Sequence, residues 1–404
     1  MARYVGTVAR GIRAPIFNPG DDLVTIIPEL IIKASQSENF TLRDRDVLAI
    51  TESVVARTQG NYASVEDIKN DLVKQLDGIE EIGLVLPILS RNRFSILLKG
   101  LAAAVKKVHL QLSFPSDEVG NQLFDDDLLL SSKVNLYTDV LTEEEFFQNF
   151  GKSKHPFTGM DYIEFYKNII IEAGAECNII FANDPRKILN YTKNVIACDI
   201  HTRQASVEKL KAAGAEFVID LTHILNKPTD KHGYNEQYGL LGSNKADETL
   251  IKLFPRDCQN LTEQIAKVLY EKTGKRIEVM IYGDGAFKDP VGKIWELADP
   301  VVSPAYTAGL KGTPHELKIK YLADSDYKDF SSEEKQIEIT KRIKSKDLAD
   351  KDSVNNEISE GTTPRNLTDL LGSLSDLVSG SGDKGTPIVY IQGYFDNYSD
   401  DYES

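Results

Sequence analysis

Cysteine is scarce: Cys177, Cys198 and Cys258 are the only three in 404 residues, and none forms a CxxC pair. A disulfide framework and a cysteine-built zinc site are therefore not expected, and a reducing, cytoplasmic setting is. No run approaches the roughly 18 consecutive apolar residues of a membrane span. The first ten residues lack an apolar h-region, so no secretory signal is expected there. Positive charge is in deficit, with 47 Lys and Arg against 62 Asp and Glu and a net charge of −15. General nucleic-acid binding needs a basic face and is not expected. Serine-hydrolase chemistry has no support, because no GxSxG elbow occurs. The six histidines (109, 155, 201, 223, 232 and 315) show neither HExxH nor His-x-His spacing.

What is present suits an ordered chain. Hydrophobic residues make up 41% and charged residues 27%, enough to bury sizeable cores. At roughly 150 residues per domain, the length suggests two or three domains. Short β-rich runs alternate with amphipathic helices, which gives a mixed α/β (α+β) class. Strands are predicted at 46–51, 107–112, 194–200, 216–220, 276–282, 317–322 and 387–392. A helix is predicted over 206–213, closed by Gly214, which makes 194–220 a strand–helix–strand unit. Leu261, Ile265, Val268 and Leu269 line one helical face, and Gly274 ends that helix. The charge-dense stretch 326–356 reads as exposed helix and loop, and the acidic tail from Asp396 as fraying.

Four features could carry chemistry. Gly380, Gly382 and Gly385 match GxGxxG, but they follow a helical run and open into a strand. That is the reverse of a dinucleotide fingerprint, and no Gly-Lys-Ser/Thr closes a Walker A loop. Closely spaced glycines with Asp383 and Lys384 could still cradle an anion; the alternative is a helix-to-strand turn. Asp284, between Gly283 and Gly285, follows the 276–282 strand. It could approach a divalent cation, with Asp289 nearby, or simply form an Asp-Gly turn. Arg10, Arg13 and Arg57 form a third group, with guanidinium forks suited to phosphate oxygens. Ser90-Arg91-Asn92-Arg93-Phe94-Ser95, with Lys99 beyond, could recognise an acidic substrate group or be a charged loop.

Several segments, in order, resemble one family. Gly11-Ile12-Arg13-Ala14-Pro15-Ile16, Pro19-Gly20-Asp21-Asp22-Leu23 and the stretch from Asp46 through Glu52 and Arg57 to Gly60 resemble the N-terminal part of the coenzyme F(420)-0:L-glutamate ligases, the gamma-glutamyl ligase family. Tyr238-Gly239-Leu240-Leu241-Gly242-Ser243-Asn244 is similar to its Gly-Ile-Asp-x-Ser-Asn stretch. Thr273-Gly274-Lys275-Arg276 through Asp284, and Gly380 to Gly393, are similar to its last two motifs. The resemblance covers roughly 1–115, 233–325 and 365–395.

It implies a gamma-glutamyl ligase-like core, in two parts (1–115 and 233–404), with an inserted α/β subdomain at 116–232. It also implies a homodimer that uses GTP (or ATP) with Mg²⁺ or Mn²⁺. The activity would join an amino acid such as glutamate to a small-molecule carboxylate through an acyl phosphate. Carried over by position, Ile12, Arg13, Ala14, Pro15, Glu52, Ser53, Arg57 and Asn244 fall on nucleotide-contacting positions; Ser243 and the glycine-loop residues Gly380, Gly382, Asp383, Lys384 and Gly385 are added as candidates for holding the cofactor. Asp284 and Arg57 are the catalytic candidates, and Asp284, Asp289 and Asp383 the metal candidates. The chain departs from the family at Leu241, where the resemblance expects a metal-binding Asp, and at Ser381, where it expects Glu or Gln. Two other readings follow from these departures: a nucleotide- or phosphate-binding protein without catalysis, and a phosphotransferase.

Overall fold

The computed structural model describes residues 5–152, 154–155, 158–286, 298–313, 317–349, 365–380 and 384–396. In chain order the strands begin with β1 (Val8–Ile12), β2 (Val47–Thr51), β3 (Tyr62–Ser64), β4 (Glu81–Val85), β5 (Lys107–Leu112), β6 (Leu141–Thr142) and β7 (Glu176–Phe181). They continue with β8 (Asn194–Ala197), β9 (Phe217–Asp220), β10 (Asn244–Lys245), β11 (Leu250–Lys252), β12 (Glu278–Tyr282), β13 (Ala305–Tyr306) and β14 (Ile388–Gln392). They form three sheets, ordered β1-β14-β2-β12-β13, β10-β11-β3 and β6-β7-β5-β4-β8-β9.

The first sheet is covered on both faces, which explains why its strands read as continuous apolar runs rather than clean alternations. Leu48, Ile50, Val279, Ile281 and Tyr390 pack on one side with Ile27 and Ile31 of helix Leu23–Ser37 and Ile265 and Leu269 of helix Cys258–Thr273. Val47, Ala49, Met280, Val389 and Ile391 face the other way, toward Leu371 of helix Leu367–Ser379. Gly274, at φ +68°, caps helix Cys258–Thr273 and donates its N–H to the Tyr270 carbonyl, as the sequence leads one to expect.

The third sheet is parallel except for β6 at its edge. Its parallel strands, counted along the chain, lie in the order 3-2-1-4-5, a doubly wound arrangement. The order reverses between β4 and β8, so the crevice of this sheet opens at their carboxyl ends, beside the turns after Val85 and Ala197. β4 and β5, from the segment 1–115, share this sheet with β6 to β9, from 116–232.

One element differs from the sequence reading. The strand expected over 317–322 is a short helix, Ile319–Asp324. Only Leu322 of that helix is buried, while Ile319 and Tyr321 are exposed. An alternating pattern needs a neighbouring strand to become one, and among the described residues this segment pairs with none. No described helix is long and apolar enough to cross a membrane.

The end of β9 is locked to the stretch that leads into β10. Gly239 sits at φ +51°, and a Cβ there would lie 2.6–2.7 Å from the backbone carbonyls of Leu221, Thr222 and Ile224. Gly239→Ala is therefore expected to lower stability by about 2 kcal/mol, read as a lower urea midpoint at unchanged slope.

Candidate functional site

Strand register decides what meets at one edge of the first sheet. β2 and β12 are parallel and Thr51 pairs with Tyr282, so the chain leaves both strands side by side, into Glu52 and Gly283. β14 enters at the same edge, with Ile388 opposite Ile50 of β2 and Ile12 of β1. Residues 12–15, 52–53, 283–286 and 384–387 are thereby gathered. The Ala14 N–H donates to the Gly385 carbonyl at 3.1 Å and the Thr51 N–H to the Pro387 carbonyl at 3.0 Å. The Lys384 side chain lies back over Gly380, where a Cβ would come within 2.6 Å of its Cδ.

The small sheet supplies the next layer. Asn244 pairs with Lys252, and Lys252 with Tyr62. The Lys252 ammonium donates to Ser53 Oγ and lies 3.8 Å from Glu52 Oε1. The Lys245 N–H donates to the Asn92 carbonyl at 2.6 Å, which draws the turn before helix Phe94–Ala103 against the site.

Arg93, at the start of that helix, is the centre of the arrangement. Its Nη1 donates to Asp299 Oδ1 and its Nη2 to Asp284 Oδ2, each at 2.7 Å. Asp299 also accepts the Asp284 N–H on its other oxygen, at 2.8 Å. The Gly285 N–H donates to Asp376 Oδ2 and the Ala286 N–H to Ser373 Oγ, both at 2.9 Å. The turn after β12 is thus clamped from three directions. It must carry glycine at 283, because a Cβ there would sit 2.2 Å from Asp299 Oδ2.

Burial dominates the electrostatics. It pushes Glu52 up from 4.5 to about 7, against the pull of Lys252, with Asp299 adding to the rise and Arg93 opposing it. Glu52 Oε2 is buried and has no hydrogen-bond partner among the described residues. Burial also works against the Arg93 charge, but Asp299 and Asp284 outweigh it and hold the guanidinium more firmly protonated. Asp376 is raised by burial, against the Gly285 N–H.

This gathering of segments coincides with a family match. The model of the F(420)-0:gamma-glutamyl ligases matches residues 11–393. The chain belongs to the F(420)-0:gamma-glutamyl ligase family. The matched range runs through 116–232, the part that the separate motifs left aside. A comparison with the curated proteins finds no match.

Within this ligase-family chain, the edge of the first sheet brings together Ile12, Arg13, Ala14, Pro15, Glu52, Ser53, Asp284, Lys384 and Gly385, with Asn244 one strand pairing away. Arg57 donates its Nε to the Phe17 carbonyl and so braces the loop after β1. Ser243 is buried and donates its hydroxyl to the Leu240 carbonyl at 2.6 Å. Asp289, Gly382 and Asp383 lie outside the described residues. Asp299, Lys252 and Asp376 escaped the sequence reading. Lys252 carried one faint signal, a lysine closing the apolar strand Leu250–Lys252; Asp299 and Asp376 carried none.

The resident divalent ion implied by the family does not fit the described residues. Asp284 is committed to Arg93, and Leu241 is packed in the core of the third sheet at 1% exposure. Among the described residues, no group of three or more His, Cys, Asp or Glu is placed to hold a metal ion.

Proposed function

We propose that this chain joins a small-molecule carboxylate to the amine of an amino acid such as glutamate, driven by GTP or ATP. The observation that carries this reading is the convergence of residues 12–15, 52–53 and 384–385 on one edge of the first sheet, with Asn244 paired to Lys252 in the small sheet beside it, in a chain of the gamma-glutamyl ligase family. A carboxylate oxygen attacks the γ-phosphorus, the bond to the β-phosphate oxygen breaks, and an acyl phosphate forms. The amine then attacks the acyl carbon, and phosphate leaves with the C–O electron pair. Arg13, Lys252 and Lys384 supply charge to the phosphates, and Asn244 orients the nucleotide. Glu52, pushed up to about 7 by burial and with no partner on Oε2 among the described residues, is assigned to take the amine's proton. Mg²⁺ or Mn²⁺ is proposed to arrive on the nucleotide. The proposed assembly is a homodimer in the cytoplasm, and light scattering tests the first point.

A thermal-shift titration with GTP, ATP and GDP, each with and without Mg²⁺ or Mn²⁺, tests the reading. A ligand at a hundred times its Kd stabilises by about 2.7 kcal/mol. The expected result is a clear rise with a triphosphate, reduced in Lys252→Ala, and phosphate release that requires an added amine. Phosphate transfer without an amine would favour a phosphotransferase. Nucleotide binding without turnover would favour a binding protein, a reading to which the closed Asp284–Arg93 pair also lends weight. No shift with any nucleotide would remove the ligase reading.

A further inference from the structure

We propose that Arg93 is a built-in cation that fills, with its guanidinium, the place between Asp284 and Asp299 where a divalent ion would otherwise bind. The two carboxylates come from either side of the 287–297 segment and converge on one side chain, each at 2.7 Å. Asp299 is 2% exposed and Arg93 17%, so the pairing is an internal feature of the site and not a solvated surface contact. A third carboxylate, Glu52, follows β2 where Thr51 pairs with Tyr282 and is buried at the same edge, and its Oε2 has no hydrogen-bond partner among the described residues. Carboxylates gathered in one region need positive charge, and a convergent pair such as Asp284 and Asp299 is oxygen chemistry that a hard divalent cation uses. Arg93 and Lys252 supply that charge covalently.

The neighbouring wall fits the same conclusion. A largely apolar cavity, with Ile88, Phe94, Leu97, Leu240 and Leu241, also borders Arg93; of its two side chains that could ligate, Ser243 gives its hydroxyl to the Leu240 carbonyl and Cys198 is buried. A guanidinium needs no coordination shell and satisfies two carboxylates with its fork, so it can be held where one wall is apolar. Three of its five N–H donors make no hydrogen bond among the described residues and remain available to an anionic substrate group. The site would then have its carboxylates balanced in the absence of any metal.

The probe is Mn²⁺ alone, without nucleotide, followed by the loss of its free electron-paramagnetic-resonance signal. This separates the inference from the ligase reading, which can fail without affecting it. The wild-type chain is expected to show no bound Mn²⁺ that disappears in Asp284→Asn. Arg93→Ala is expected to bind Mn²⁺ at least tenfold more tightly than wild type, the gain being lost in Arg93→Ala with Asp284→Asn, and Arg93→Lys to behave as wild type. A folded Arg93→Ala protein with no gain overturns the proposal. Should Arg93→Ala fail to fold, the wild-type comparison decides: bound Mn²⁺ that Asp284→Asn removes overturns it, and its absence upholds it.

Discussion

Asp299→Ala is expected to destabilise the protein by about 3–5 kcal/mol, the range for removing one partner of a buried ion pair. Asp299 serves two groups, with one oxygen on the Arg93 guanidinium and the other on the Asp284 N–H. Alanine would leave a largely buried guanidinium with half its compensation and an amide without its acceptor. Asp299→Asn should recover part of the loss, because the amide oxygen can still accept one of the two bonds. Urea unfolding of the two variants measures this. Equal losses below about 1 kcal/mol would show that the pair is solvated and contributes little.

Glu52→Gln is expected to become more stable relative to wild type as pH rises from 5 to 8. Burial holds the Glu52 proton up to about 7, against its ordinary 4.5. The folded state therefore binds that proton more tightly than the unfolded state does. The resulting stabilisation is full below pH 4.5 and is lost as pH climbs through 7. The full displacement corresponds to about 3 kcal/mol, reduced in the variant by whatever Lys252 loses when its charged partner goes. Asp117 and Asp199 are also pushed up by burial, each to about 6, but they are common to both proteins and cancel in the difference. Paired unfolding curves at pH 5, 6, 7 and 8 measure it, and a pH-independent difference would return Glu52 to an ordinary carboxylate.

Much of the secondary structure was legible because it rests on local chemistry. The strand at Lys107–Leu112 and the glycine cap at Gly274 follow from alternation and from a residue that tolerates positive φ. The helix-then-strand order around Gly380 was also readable, and it correctly set the glycines apart from a dinucleotide turn. The 317–322 stretch shows the limit, since alternation is a necessary property of a half-buried strand and not a sufficient one.

The candidate site was half legible. Asp284 stood out by its place after a strand, and Arg93 within a segment read as able to meet an acidic group. The two carboxylates that Arg93 meets, Asp284 and Asp299, belong to the protein itself. That pairing depends on how distant segments dock, and so does the position of Lys252, which strand register alone sets opposite Asn244. Neither relation leaves a mark on the local sequence.

The clamp on the turn after β12 also bears on the order in which the molecule is made. Arg93 is separated from Asp284 by 191 residues and from Asp299 by 206, and Gly285 from Asp376 by 91. Each closure costs chain entropy before it returns any contact, and contacts this remote are slow to form. The first sheet itself needs β14 from the end of the chain between β1 and β2. During synthesis, the third sheet can therefore be complete while the chemistry-bearing edge does not yet exist. A partly made chain, or one whose two large sheets have failed to dock, is expected to lack the clamp of Arg93 on Asp284 and Asp299.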